Sequence, residues 1–426
     1  MNALALIGVL MLLMALRVPV VFSLLLSSLF YLVFIKPIPF LILAHRMLGS
    51  LESFPLLALP LFILAADIMN AGRTTEEMFK FARALVGPLR GGMGHVVVVA
   101  SMIFAGISGT ITAEAAGLGK LELPLMEKAG YEKPFALGLI SAASIIGPII
   151  PPSVQMVLYA MIAEQSVGRL FVGGVVPGMI MGLCLMIMVY LSAWRRNFPR
   201  DEKASPRLIW STFKTAFPAL VTPAIILGGI LSGVFTPTEA GVVAVVWALF
   251  ISFFIYKSIK LRQLPPLLIS SAVMTALILV IMGAASVFGW LVTMENIPTL
   301  IKNALMSATD KQWIILLILN LAFLIAGCFF DICAIILVFT PMILPVLQAF
   351  HIDLVHWGVV ETLNVCIGFL TPPFGVGLFI MSDMTGLSVA QVTKAVSPFL
   401  IPLLVSLALI TYYPFLVTWL PKMVFG

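Results

Sequence analysis

The sequence predicts an all-α, polytopic membrane protein, and three observations carry the prediction. Of the 426 residues, 62% are apolar, against ~45–50% in a typical soluble domain. Only 10% are Asp, Glu, Lys or Arg, where ~25% is usual. The apolar residues also fall in blocks, many of them as long as the ~20 residues that a helix needs to cross a bilayer. We therefore expect a single integral membrane domain, residues 1–426, of about 11 spans.

Apolar blocks mark the candidate spans. The first block is long, is bent at Pro19, and has Arg17 after its apolar run rather than a basic stretch before it. This order favours an uncleaved first span over a signal peptide. The predicted segments lie near 2–35, 54–70, 93–107, 135–163, 171–193, 215–233, 239–256, 267–293, 312–326, 332–350, 357–381 and 395–415.

The net charge of +6 is concentrated in two linkers. In a membrane protein, basic loops indicate the cytoplasmic side rather than a nucleic-acid surface. Two crossings within 215–256 return the chain to the same side, so both linkers can be cytoplasmic. Their basic residues are Arg195, Arg196, Arg200, Lys203, Arg207 and Lys214 in the first, and Lys257, Lys260 and Arg262 in the second.

An internal repeat is the most informative feature. A shift of 221 residues aligns glycines and prolines of the two halves: Gly106 with Gly327, Pro124 with Pro345, Gly147 with Gly368, Pro151 with Pro372, and Pro152 with Pro373. We assign repeat one to 41–194, repeat two to 262–415, and the inter-repeat scaffold spans to 215–256. An odd number of crossings in each repeat inverts one relative to the other, which is typical of secondary transporters that bind substrate and ions at the repeat interface.

Each repeat carries a Pro-Pro pair inside an apolar block, near 151–152 and 372–373. Two prolines remove two backbone donors and break the helix. In lipid, such a break survives only where it is buried in protein or lines a cavity. We interpret both blocks as re-entrant helical hairpins with the Pro-Pro at the tip, where carbonyl oxygens and the hydroxyl of Thr371 suit a small cation. A proline kink in a spanning helix is the alternative.

A short polar stretch precedes each tip: 108–112 with Ser108 and Thr110, and 327–331 ending in Asp331. Hydroxyls and glycine backbone at membrane depth suit ion or substrate coordination, although helix packing through small residues is the common alternative. Asp331 follows two phenylalanines, and an ionisable group there is costly unless it faces a cavity or a partner. Glu114 is a weaker candidate because charged residues follow it closely.

Other residues have structural interpretations. Thr238 is predicted to cap a helix that Glu239 opens. The four cysteines lie inside apolar blocks and predict packing rather than disulfides or a metal site. No G-x-S-x-G, H-E-x-x-H or phosphate-binding loop occurs, so the sequence predicts no enzyme, and an ion gradient or another chain must supply the energy.

Several motifs together resemble the large membrane subunit of tripartite ATP-independent periplasmic (TRAP) transporters. The resemblance covers the chain from about residue 5 to Pro421. Its motifs begin at Ser53 (SFPLLALPLFILA), Gly106 (GISG), Gly147 (GPIIPPS), Leu170 (LFVGGVVPG), Phe235 (FTPTEA) and Gly368 (GFLTPPFGVG).

The resemblance implies partners, ions and a mechanism. Such subunits work in the bacterial inner membrane with a small four-span membrane subunit and a periplasmic substrate-binding protein, and they import organic carboxylates with sodium by an elevator movement. Two sodium sites are implied, the first at Ser108, Gly147, Ile150 and Pro152, and the second at Gly327, Gly368, Thr371 and Phe374. Substrate contacts are implied at Ser108, Thr110, Glu114 and Asp331.

Alternatives remain open for the substrate and for the class of membrane protein. Thr371 stands where some dicarboxylate importers carry histidine, and Gly377 where many relatives carry asparagine, which favours a bulkier acid such as sialic acid over a C4-dicarboxylate. The resemblance also implies that the small subunit is a separate polypeptide. A stand-alone ion-coupled anion transporter with paired hairpins and a membrane channel are the competing hypotheses.

Overall fold

The computed structural model describes residues 2–16, 18–196 and 198–426. Arg17, which entered the interpretation of the first block, lies outside the described residues. The described chain forms twenty α-helices and no strand, so the predicted all-α class is confirmed. Short 3₁₀ and π-helical turns extend several of these helices.

The first ten helices span repeat one and the chain before it. They are α1 Asn2–Ala15, α2 Val20–Phe30, α3 Leu41–Leu51, α4 Ala58–Ala71, α5 Thr74–Val86, α6 Gly92–Ser108, α7 Ile111–Lys128, α8 Lys133–Ala143, α9 Val154–Ile162 and α10 Val167–Arg196. The second ten are α11 Pro206–Leu231, α12 Pro237–Phe250, α13 Leu264–Met294, α14 Ile297–Ala308, α15 Gln312–Phe329, α16 Ile332–Ala349, α17 Leu354–Phe369, α18 Val376–Thr385, α19 Val389–Tyr412 and α20 Phe415–Phe425.

Seven helical segments of the described chain are long and apolar enough to cross a membrane. An eighth span results if α3 is counted together with α4 and the turn before it, two segments that meet at an angle of 64°. Shorter apolar helices surround them, including α6, α8 and α17. Side chains such as Phe34, Val246 and Phe254 are exposed on these helices, as expected of a surface that faces lipid. The chain is therefore a multi-pass membrane protein.

The first apolar block differs from its prediction as one long span. The helix ends at Ala15, a new helix begins at Val20, and α1 packs along α2 as far as the π-helical turn Tyr31–Ile35. Pro19 stands at the N-cap of α2 with extended backbone. Because proline disfavours helical backbone in the residue before it, the chain turns here and forms two packed helices.

The helix boundaries repeat at the spacing of the sequence motifs. A shift of 221 residues carries Ile111–Lys128 of α7 onto Ile332–Ala349 of α16, and the first residue of α8 onto the first residue of α17. The same shift brings α5 within two residues of α14, a pair of helices that the apolar blocks did not predict. Each Pro-Pro pair lies between two helices, α8 and α9 or α17 and α18, and both Pro-Pro bonds are cis.

Helices of the two repeats interlock around the tips. The first repeat contributes α8, which packs against α19, and α10, which packs against α17, α19 and α20. A separate group forms where α12 packs against α4, α11 against α5, and α13 against α2 and α3. The two groups meet where α16 packs against α13 and where α6 packs against α5 and α4.

Candidate functional site

The first tip is pressed against the end of α6. Gly109 ends that helix in the left-handed conformation, with φ of +62°. A Cβ on Gly109 would stand 2.5 Å from the carbonyl oxygen of Pro152, and a Cβ on Gly106 would stand 3.9 Å from the carbonyl oxygen of Pro151. Glycine is thus required at Gly109 both for its backbone angle and for the close approach of the tip.

Polar groups without ordinary partners surround the first tip. The Ser108 hydroxyl is buried and makes no hydrogen bond among the described residues. The Glu114 carboxylate is 1% exposed and lies beside the Ser101 hydroxyl and the Gly147 backbone, though without a hydrogen bond of standard geometry. A Cβ on Gly147 would overlap Oε2 of Glu114 and stand 3.4 Å from the carbonyl oxygen of Thr110. The structure therefore brings together Ser108, Thr110, Glu114, Gly147 and Pro152.

These oxygens could hold a small cation. A buried carboxylate and hydroxyl are costly unless they are paired, and carboxylate, hydroxyl and carbonyl oxygens are the ligands of hard cations. Ile150 contributes backbone at the same tip, while its side chain fills the space beside Gly178 of α10. Glu114, the weaker candidate of the sequence, is buried within this cluster rather than at an open mouth.

The second tip has a tighter backbone contact. Gly327 on α15 faces Gly368 on α17, and a Cβ on Gly327 would stand 2.8 Å from the Cα of Gly368. The Thr371 N–H donates to the Gly368 carbonyl at 2.8 Å, and its hydroxyl donates to the Ile367 carbonyl at 2.7 Å. Since that hydroxyl donates along its own chain, its lone pairs remain available for a cation.

Phe374 belongs to this tip, and Asp331 follows α15, the helix that contacts it. Phe374 is half exposed, and its ring centroid lies 5.4 Å from that of Phe329. Asp331 caps α16, where its Oδ1 accepts from the N–H of Cys333 at 2.9 Å and from the N–H of Ala334 at 3.4 Å. The cap leaves Oδ2 of Asp331 for another ligand, and the sequence did not foresee the capping role.

The cap of α12 is Thr236 rather than Thr238. The Thr236 hydroxyl accepts from the Glu239 N–H at 3.3 Å, and the Glu239 carboxylate accepts from the Thr236 N–H at 2.7 Å. This capping box places Pro237 in the first helical position, where its missing N–H costs nothing. The structural role predicted for Glu239 is confirmed, but its partner stands three residues earlier.

Sequence reasoning missed a polar cluster in the second repeat. Glu361 on α17 is fully buried, as are Thr340 on α16 and Asn364 one turn further along α17. Asn364 donates to the side-chain oxygen of Asn320 on α15 at 2.7 Å. Asp331 was singled out because it is an acid in an apolar run. Glu361 is likewise an acid inside the apolar block 357–381, so the same signal would have identified it.

Comparison with known families gives one match over most of the chain. The family model described as "Tripartite ATP-independent periplasmic transporter, DctM component" matches residues 7–416. The match therefore includes both tips, the polar stretches that precede them, and the helices between the repeats.

Curated relatives agree with that match. The sialic acid TRAP transporter permease SiaT of Haemophilus influenzae is 39% identical over 97% of this chain and 67% of its own length. The large permease SiaM of Vibrio cholerae, also named for sialic acid, is 39% identical, with 96% of each chain covered. The C4-dicarboxylate large permease DctM of Rhodobacter capsulatus is 36% identical over 99% of each.

One solved structure has a similar fold. The YdaH transporter of Alcanivorax borkumensis superposes with a TM-score of 0.65 over 97% of this chain and 98% of its own, at 13% sequence identity. This likeness extends to the arrangement of helices alone. It shows that the two chains share an overall fold.

Proposed function

Since this chain belongs to the DctM family of TRAP transporters, and is a transporter component rather than an enzyme, we propose that it is the large membrane subunit of a sodium-coupled importer of organic carboxylates. The observation that carries the proposal is the pair of tips at equivalent positions of the repeat. The first tip packs the backbone of Pro152 against Gly109 at the end of α6, and the second packs Gly368 against Gly327 near the end of α15.

Two sodium ions would bind at these tips. Ser108, Gly147, Ile150 and Pro152 form the first site, where the orphaned hydroxyl of Ser108 supports the assignment. The second site is formed by Gly327, Gly368, Thr371 and Phe374. Sodium would supply positive charge near the buried Glu114 and the partly buried Asp331, for which no salt bridge occurs among the described residues.

The substrate would bind between the polar stretches, at Ser108, Thr110, Glu114 and Asp331. Bound cations beside Glu114 and Asp331 would attract an anionic carboxylate that the acids alone would repel. This arrangement ties substrate binding to prior ion binding. An order in which the ion binds before the substrate supports symport. A channel does not require its permeating species to bind in such an order.

An elevator movement is proposed from the division of the helices. The helices around both tips interlock across the repeats through α8, α10, α17 and α19, while α4, α5, α11, α12 and α13 form a second group. The first group would be a transport domain with two re-entrant hairpins, and the second a scaffold within a total of about 11 spans. The small subunit would enlarge that scaffold from the lipid side.

The proposed partners are a small four-span membrane subunit and a periplasmic substrate-binding protein, in the bacterial inner membrane. Relatives are named for sialic acid, C4-dicarboxylates, 2,3-diketo-L-gulonate and isethionate, all of them acids. Within this set we propose sialic acid, because Thr371 stands where some dicarboxylate importers carry histidine and Gly377 where many relatives carry asparagine.

Uptake by proteoliposomes tests this proposal. The chain is reconstituted with its small subunit, and labelled sialic acid is supplied with its binding protein, with and without an inward sodium gradient. We expect uptake only when both the binding protein and sodium are present. Uptake of a dicarboxylate with its own receptor, but not of sialic acid, would overturn the substrate, whereas uptake without any receptor would support a stand-alone transporter.

A further inference from the structure

Glu361 is an acid that the proposed ion and substrate sites do not use. It lies on α17, seven residues before Gly368, and is 0% exposed. Its Oε1 is 2.5 Å from the Thr340 hydroxyl of α16, and its Oε2 accepts from the Trp357 indole N–H at 2.8 Å. Both partners are neutral.

No cation compensates Glu361. Among the described residues no lysine, arginine or histidine forms an ion pair with it. His356 on the same helix is engaged with the Ile410 carbonyl of α19 at 2.9 Å. Tyr159 of α9 donates to the Leu354 carbonyl at 2.7 Å. The other titratable groups of α16, α17 and α18 are Asp331, Cys333, Asp353, Cys366 and Asp383, none of them a cation.

The two contacts fit a neutral carboxylic acid. The Trp357 N–H is only a donor, so Oε2 of Glu361 must accept. A hydroxyl both donates and accepts, so Oε1 can carry a proton and donate it to Thr340. An ionised carboxylate in this position would be a buried charge held by two neutral groups, which is strongly unfavourable.

We propose that Glu361 is a proton-binding site of the helices that carry the second tip, and that it holds its proton in this conformation. Loss of the proton to water at alkaline pH would leave an uncompensated charge between α16 and α17. Asn364 and Gly368 lie on the same side of α17 at helical spacing, so a displacement at Glu361 would reach the contact between Gly368 and Gly327. Uptake would then fall at alkaline pH.

Infrared difference spectroscopy of the purified wild-type chain and Glu361→Gln tests proton binding directly. At neutral pH, the wild type should show a protonated-carboxyl band that the variant lacks. Absence of that difference would overturn the proposal. Thr340→Val removes the acceptor of the proton and should shift the same band, so an unshifted band would also contradict it. Neither result depends on whether the proposed transport function is correct.

The pH dependence, which rests on the proposed function, is tested by uptake in proteoliposomes. Glu361→Gln should retain uptake at neutral pH and lose the alkaline decline of the wild type. Glu122→Gln is the matched control, because Glu122 is another buried acid, on α7 and away from this cluster. An alkaline decline that persists in Glu361→Gln, or that disappears equally in Glu122→Gln, would overturn the assignment to Glu361.

Discussion

Gly327 and Gly368 hold α15 and α17 together through backbone contact. A Cβ on Gly368 would stand 2.6 Å from the Cα of Gly327 and 2.8 Å from the Leu324 carbonyl oxygen. Real Cβ atoms do not approach other atoms so closely, and these neighbours are backbone. The two residues are equivalent to Gly106 and Gly147 of the first repeat, but there the neighbours differ, since Gly106 lies against Pro223 and Gly147 against Glu114.

Gly368→Ala should therefore destabilise the protein and abolish uptake. We expect a loss of about 1–3 kcal/mol in the free energy of unfolding, because the helices must separate. The thermal unfolding midpoint in detergent measures the effect. Gly289→Ala on α13 is the control, since nothing lies within 4 Å of its Cβ position. Equal midpoints for the two variants would contradict the close approach.

Asp331→Asn should lose uptake by tenfold or more while the fold is retained. Asparagine keeps an oxygen that can cap α16, but it lacks the charge proposed for ion and substrate binding. Initial uptake rates and the thermal unfolding midpoint separate the two roles. Asp353→Asn is a matched control because Asp353 caps α17 in the same way, through the His356 N–H at 2.9 Å. Uptake preserved in Asp331→Asn would limit Asp331 to capping.

The linker between α10 and α11 is bound to α5 by an ion pair. Arg83 forms two hydrogen bonds with Asp201, at 2.7 and 3.1 Å, which raise the pKa of Arg83, and the Asp201 N–H donates to the Gly87 carbonyl. The two side chains are 50% and 31% exposed, so the pair contributes at most ~1 kcal/mol.

Asp201→Ala should accordingly increase tryptic cleavage at Arg200 and Lys203 by up to about fivefold. Limited proteolysis followed by mass spectrometry measures it. Glu77→Ala removes the neighbouring pair with Lys80, leaves the pair between Arg83 and Asp201 in place, and should leave cleavage unchanged. A similar rate in wild type and Asp201→Ala would show that the ion pair does not hold the linker.

Thr236→Ala should lower stability by about 1 kcal/mol, because the first turn of α12 loses its capping side chain. Thr236→Ser retains the hydroxyl and should be close to the wild type. Thermal unfolding in detergent again provides the measurement. If the serine variant were as unstable as the alanine variant, packing of the threonine methyl group would be responsible instead of the cap.

The sequence predicted features with strong local causes. Composition predicted an all-helical membrane protein, and the order of glycine and proline residues predicted a repeat whose helices α7 and α16 begin and end at equivalent positions. The break at Pro19 was foreseen as a bend, but the packing of α1 onto α2 depends on contacts between residues far apart in the chain. The cap of α12 was placed at Thr238 for a different reason, because the local Thr236-x-x-Glu239 capping-box pattern was overlooked.

The candidate sites show a similar division. Gly147, Gly327 and Gly368 were identified from their repeated spacing, and the structure gives each a close neighbour that spacing alone cannot name. Glu114 was underrated because the charges after it suggested an aqueous mouth, whereas α7 exposes Lys120, Glu127 and Lys128 and buries Glu114 against the tip. Asn320 is isolated in sequence, and only the packing of α15 on α17 brings it to Asn364.

Coupling of uptake to sodium at the two tips is the central claim, and it is tested most directly by the initial rate of uptake as a function of external sodium. The wild type with its partners should show a sigmoidal dependence, as expected for at least two ions. Ser108→Ala and Thr371→Ala should each require more sodium for half-maximal uptake. A wild-type rate that does not change with sodium would contradict the account.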